Sequence, residues 1–237
     1  MTKIGDAALI AVTLGLLAIG LIFGSHNTNS SLGLLVTGGA IGAWLVVLRI
    51  ANKRTVDARI IALVATMAAM AAMTRVAFAP IAGFKPTTFI VMITGYVGGP
   101  AIGFAVGALN GFASNFFLGQ GPWTPWQMAC WGLCGILAGV MGRRNDDFKM
   151  WPFVILAGAA GILFGWVMNI WHWLAFIEPH SWKTFAATYL TSLPFDLLHA
   201  AGNIVFSLLL GKPFYLVINR VYLRINNSRM PGEEFYN

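Results

Sequence analysis

The chain has 237 residues, 58% of them hydrophobic and 10% charged, with a mean hydropathy of +0.74 and a net charge of +7. That is too little charge to cover a water-soluble domain of this length, which excludes an ordinary globular fold and leaves a protein that lives in a bilayer. The basic excess does not point to nucleic acid, because the lysines and arginines segregate with membrane topology.

Eight apolar runs follow one another: Ala7–Phe23, Leu32–Leu48, Ala58–Ala77, Thr87–Val97, Ala101–Leu118, Met128–Met141, Trp151–Trp173 and Pro194–Leu210. Most suit a helix crossing a hydrocarbon core about 30 Å thick; the fourth and sixth are short and call for extension by their flanks or for tilt. The runs are continuously apolar rather than alternating, so they read as helices and not as strands of a barrel. Asp6 weakens a basic leader and no small-residue cleavage site precedes the second run, so the first run is read as a membrane helix rather than a signal peptide.

Eight helices with an inner N-terminus place Lys3, Arg49, Lys53, Arg54, Arg59, Arg143, Arg144, Lys149, Lys212, Arg220, Arg224 and Arg229 on one side, against Arg75, Lys85 and Lys183 on the other. This asymmetry is what the positive-inside rule expects, and it puts both termini in the cytoplasm. The expected architecture is an all-α, polytopic membrane bundle. Residues 1–55 hold two leading helices and the basic linker, 56–225 a six-helix core, and 226–237 a cytoplasmic tail. The segment after Leu210, with KPFYLVINRVYLR, reads as a basic amphipathic end lying on the inner surface.

Small residues recur at helical spacing. Gly99, Gly103, Gly107 and Gly111 continue at the same step into Asn115 and Gly119, a ridge that admits a neighbouring backbone. Gly158, Gly161 and Gly165 do the same elsewhere. Ala58, Ala62, Ala65, Ala69 and Ala72 form a smooth face that is the readiest of these to turn toward another protein. Ordinary packing within the bundle is the plainer reading of each. Cys130 and Cys134, four apart on one helix, read as small buried residues rather than a disulfide or a metal pair.

Polar groups within a bilayer are costly and mark candidate sites. Asp196, His199 and Asn203 share a face of the last helix, Asp196 falling in the first turn after Pro194, where a helix N-terminus alone would favour it. Trp166, Asn169 and Trp173 repeat the spacing on the preceding helix, with His172 beside them; Trp173 reads equally as an interfacial anchor or a ligand contact. Two outer connections complete the set. FAPIAGFKPTT carries Phe84 and Lys85 just after Arg75, and LGQGPWTPWQ carries Gln120, Trp123, Trp126 and Gln127. Proline and glycine restrict their shape, and flat apolar faces beside amides suit a bulky, largely uncharged organic ligand better than a bare ion.

There is no phosphate-cradling GxxxxGK[ST] motif, so ATP hydrolysis is not expected of this chain. No HExxH or paired metal-binding run occurs either. An integral-membrane enzyme using Asp196 and His199 stays open, as does a structural subunit. The expectation is a non-enzymatic protein with no catalytic residues, no resident metal and no permanently bound cofactor.

Three stretches, TRVAFAPIAGFKPTT, GPAIGFAVGALNGFASNFFLGQGPWTPWQMACWGLCGILAG and LPFDLLHAAGN, resemble the substrate-binding S components of energy-coupling factor (ECF) vitamin transporters, over about Val56 to Arg224. The resemblance implies a subunit of a bacterial plasma membrane importer. Such a subunit binds a vitamin at the outer face and works with a transmembrane coupling subunit and two ATPases. It implies docking through an Ala-xxx-Ala pattern, here Ala58 with Ala62 or Ala65 with Ala69. It also implies that the outer connections act as lids, with Phe84, Lys85, Asn115, Gln120, Trp123, Trp126 and Gln127 around the ligand. The middle block looks most like members assigned to cobalamin; riboflavin, another vitamin, or a cobalt or nickel ion are the alternatives. The two leading helices depart from the six-helix pattern.

Overall fold

A computed structural model describes residues 57–143 and 147–227, which form six helices with no strand among them. The two expected leading helices, their basic linker and most of the tail lie outside the described residues.

Helix α1 (Ala58–Ala77) begins where the Asp57 carboxylate accepts from the Arg59 backbone N–H at 2.8 Å. Helix α2 (Thr87–Gly98) is only 12 residues long, about 18 Å at helical rise, and Thr87 through Tyr96 are all buried. It is therefore a hub packed on all sides rather than a lipid-facing span. Gly99 adopts φ +89°, a conformation open to glycine, and turns the chain directly into α3 (Pro100–Leu118), whose first position is a proline with no N–H to satisfy. Gly119, at φ +104°, ends α3 in the same way. Then follow α4 (Thr124–Gly142), α5 (Met150–Phe176) and α6 (Trp182–Asn227). Helices α1, α3, α5 and α6 are each long and apolar enough to cross a membrane.

Two expectations change. The last helix was expected over Pro194–Leu210 with a separate surface-lying tail. Instead α6 runs 46 residues without a break, with Pro194 and Pro213 inside it. Asp196 consequently lies in the helix interior, not in a first turn, and the local N-terminal account of it fails. The sixth run begins at Thr124 rather than Met128, so Trp126 and Gln127 belong to the first turn of α4 and not to a loop.

Glycines set how closely the helices pack. Along α3, Gly103 meets the Gly135 backbone of α4, Gly107 the backbone at Trp131, and Gly111 the Met128 backbone, where an added Cβ would stand 3.1 Å from nitrogen. The ridge read from four-residue spacing is thus a backbone-to-backbone seam between α3 and α4. A second seam joins α5 to α6, with Gly161 against Ala200 and Gly165 against the Asp196 carboxyl. Between them, Phe89 of α2 packs edge-on against Phe153 of α5 and Phe214 of α6.

The bundle has two distinct ends. At the foot, the Tyr96 hydroxyl donates to the Asp147 carbonyl at 2.9 Å, accepts from the Lys149 N–H at 3.0 Å, and its ring meets Tyr215. At the opposite end, the cap, the α1–α2 connection lies on α6, where a Cβ added to Gly202 would stand 3.2 Å from the Phe84 Cα and Gly83 sits beside Phe195, Leu198 and His199.

Candidate functional site at the cap end

The last turn of α1 sends Arg75 inward. It is buried, 9% exposed. Its Nη1 donates to the Ser114 hydroxyl at 2.5 Å and to Asn115 Oδ1 at 2.6 Å, and its Nη2 donates to Gln127 Oε1 at 3.2 Å. The guanidinium carbon lies 4.7 Å from the Trp131 ring centroid, a cation–π distance. One side chain thus ties α1 to both α3 and α4.

Its partners are held by a second layer of bonds. Asn115 Nδ2 donates to Thr124 Oγ1 at 2.9 Å and to Gln127 Oε1 at 2.8 Å, and the Thr124 hydroxyl donates to Gln120 Oε1 at 2.9 Å. Gln120 Nε2 donates in turn to the Phe112 carbonyl at 2.9 Å. The amides of GQGPWTPWQ therefore spend much of their bonding on fixing the α3–α4 connection around Arg75.

From Trp131 the polar path continues toward α6. Its indole Nε1 donates to the Thr88 hydroxyl at 3.0 Å, which shares a 2.8 Å hydrogen bond with His199 Nε2. Phe164 of α5 meets both the Trp131 and the His199 rings. Arg75, Trp131, Thr88 and His199 form one contiguous chain through four helices. Lys85, half-buried in the α1–α2 connection, has its ammonium held below the usual lysine pKa, first by burial and then by the positive charge of Arg75.

The remaining candidates form other sets. Asn169 donates to Ser192 Oγ at 2.5 Å and to Asp196 Oδ2 at 3.1 Å, and the Ser192 hydroxyl donates to the same Asp196 oxygen at 3.2 Å. Asp196 and His199, paired by spacing, thus bond in different directions, Asp196 to α5 and His199 to α2; no acid–base dyad joins them. Asn203 is fully buried and donates to the Ala157 carbonyl at 3.0 Å. Trp173 donates to Thr184 at 3.1 Å, while His172 is exposed and packs on Phe176. Trp123 is half-buried, crosses Trp171 of α5 edge-on and donates to the Gly119 carbonyl at 3.2 Å. Trp126 is buried among the helices at 2% exposure. Phe84 packs on Phe206. Ser114, Thr88, Trp131 and Ser192 are the participants that sequence reasoning missed. Thr88 ends the quoted FAPIAGFKPTT connection, Ser114 directly precedes Asn115 on α3, and Trp131 lies one turn from Gln127 on α4, the only signal available for it.

Of the alanine face, Ala58, Ala62, Ala65 and Ala69 are exposed on α1, whereas Ala72 turns into the core. No group of three or more His, Cys, Asp or Glu converges among the described residues. Comparison with known proteins gives one match: the family model for the ECF transporter substrate-specific component aligns with residues 59–211, well over half of the chain and the span from α1 into α6. No curated protein and no solved structure matches.

Proposed function

The chain belongs to the ECF transporter substrate-specific component family, and from that premise we propose that it binds a vitamin at its cap end, facing outward, and delivers it inward. The family is one of membrane transporter components rather than enzymes, and such components work with an ECF module. In this reading the module contributes the coupling subunit and the two ATPases. Ala58, Ala62, Ala65 and Ala69 provide the docking face.

The observation that carries the reading is the network around Arg75. It gathers α1, α3 and α4 at the cap, beneath two connections shaped by proline and glycine. Lys85 is near enough to feel the charge of Arg75, and Gln120 accepts from Thr124 in the layer of bonds around it. His199, with Thr88, extends it toward the α5–α6 seam, where Asn169 and Asp196 hold a second polar cluster. The proposed ligand is a corrinoid, cobalamin, on the likeness of the middle block; a smaller vitamin such as riboflavin is the runner-up.

Gentle affinity purification from the native membrane, with mass spectrometry of co-purifying proteins and small molecules, tests this. A coupling subunit, two ATPases and a corrinoid are the expected result. Another vitamin with the same partners would replace the ligand, and recovery without either would overturn the reading.

A further inference from the structure

Arg75 is a buried cation with no anion to answer it. All three of its hydrogen-bond acceptors, Ser114 Oγ, Asn115 Oδ1 and Gln127 Oε1, are neutral. Its Nε–H and one Nη2–H have no acceptor among the described residues, and no described carboxylate stands within ion-pair distance.

The four described acids are all committed elsewhere. Asp57 starts α1, 18 residues away at the other end of the helix. Asp147 lies at the foot beside Tyr96. Glu178 pairs with His180 in the α5–α6 connection at 3.5 Å. Asp196 is held by Ser192 and Asn169.

A second cation compounds the imbalance, since Lys85 is half-buried close enough for the charge of Arg75 to oppose its own. A protein keeps two cations together in a poorly solvated place at a cost in desolvation and repulsion. Trp131 offsets part of that for Arg75 through its ring face, but a quadrupole does not replace a counter-charge. The guanidinium is planar, its fork is held by bonds to two helices, and two donors stay open: the geometry that takes both oxygens of a carboxylate or a phosphate.

Resting on the reading of this cap as the ligand site, we infer that the transported ligand carries an acidic group, a carboxylate or a phosphate ester, which docks on the Arg75 guanidinium with Lys85 as the second cation. For a corrinoid that group is the phosphodiester of its nucleotide loop. For a smaller vitamin it is a carboxylate or a terminal phosphate.

The test is binding by the full chain in nanodiscs, using probes in acidic and neutral pairs: cyanocobalamin against dicyanocobinamide, flavin mononucleotide against riboflavin, pantothenate against panthenol, and biotin against its methyl ester. The expected result is one acidic member that saturates the protein while its neutral counterpart binds at least about 30-fold more weakly. Arg75→Gln is expected to weaken the acidic member by more than the neutral one and so to narrow the gap between them, with Arg75→Lys intermediate. Lys85→Gln, in a connection rather than in the packed core, is expected to cost several-fold for the acidic member alone. The ligand pairs need no change in the protein, so a misfolded Arg75 variant would not decide the matter. A neutral member binding as tightly as its acidic counterpart would overturn this inference and leave the vitamin reading standing. Saturation by none of the probes, with neither a coupling subunit nor ATPases co-purifying, would overturn both.

Discussion

Arg75, Trp131 and Thr88 show how a single contact decides what a polar residue in a membrane helix is for. Trp131 offers its face to the guanidinium and its N–H to Thr88. Trp131→Phe keeps an aromatic face but gives up the hydrogen bond and part of the cation–π attraction, together about 1–2 kcal/mol. A titration with the native ligand should therefore show roughly 5- to 30-fold weaker binding, with association with the coupling subunit unchanged. Lys85 makes a complementary case. Burial and Arg75 both disfavour its charge, so Lys85→Met should raise the thermal midpoint of the ligand-free protein by roughly 2–4 °C while weakening an acidic ligand. Scanning fluorimetry with and without ligand separates the two effects. Arg75 and Lys85 stood out in the sequence as candidates because charge at the edge of an apolar run is conspicuous. Trp131 was not, since a tryptophan within a greasy helix looks the same whether it packs or binds, and only the chain folded around it tells these apart.

At the scale of helices, four-residue glycine spacing correctly announced a close approach, and the seam between α3 and α4 is its realisation. Gly135 faces the Gly103 carbonyl so closely that any Cβ meets backbone, which cannot move aside, whereas a Cβ on Gly158 would meet only the flexible end of Ile204, at 3.0 Å. Gly135→Ala should thus destabilise by about 1–3 kcal/mol, seen as a lower thermal midpoint in detergent, and Gly158→Ala should be near neutral. Equal effects at the two positions would contradict the seam. The extent of α6 was not legible. Pro194 reads as a helix start, where its missing N–H costs nothing, and the basic residues after Leu210 read as a separate surface end, although proline inside a helix removes a hydrogen bond and crowds the preceding turn. A membrane helix tolerates both when neighbouring groups and local adjustment satisfy the freed carbonyls, so the punctuation that works in soluble chains misplaced both ends here.

For the molecule as a whole, composition was enough to set the class, and the motif-bearing stretches were enough to name the family that residues 59–211 match. The ligand was less legible, because the amides read as a ligand rim turn out to be largely engaged in holding the α3–α4 connection. The outward alanines of α1 carry the proposed docking, so Ala62→Trp should abolish uptake in cells and co-purification of the coupling subunit while leaving ligand affinity within about twofold of normal, as expected for an exposed surface position. Loss of ligand binding in that variant would move the docking surface elsewhere.

Helix α1 carries both halves of the proposal, the ligand contact and the docking face. The face bearing Ala62 and Ala65 looks away from the bundle, and ten residues beyond Ala65, about 15 Å along the same rod, Arg75 reaches inward. A ligand that grips the guanidinium grips this rod by one end. Any shift or roll it imposes arrives at the alanines without passing through a loop or a second helix. On that proposal occupancy would be transmitted as the posture of a single rigid body, sensed on one flank and displayed on the other.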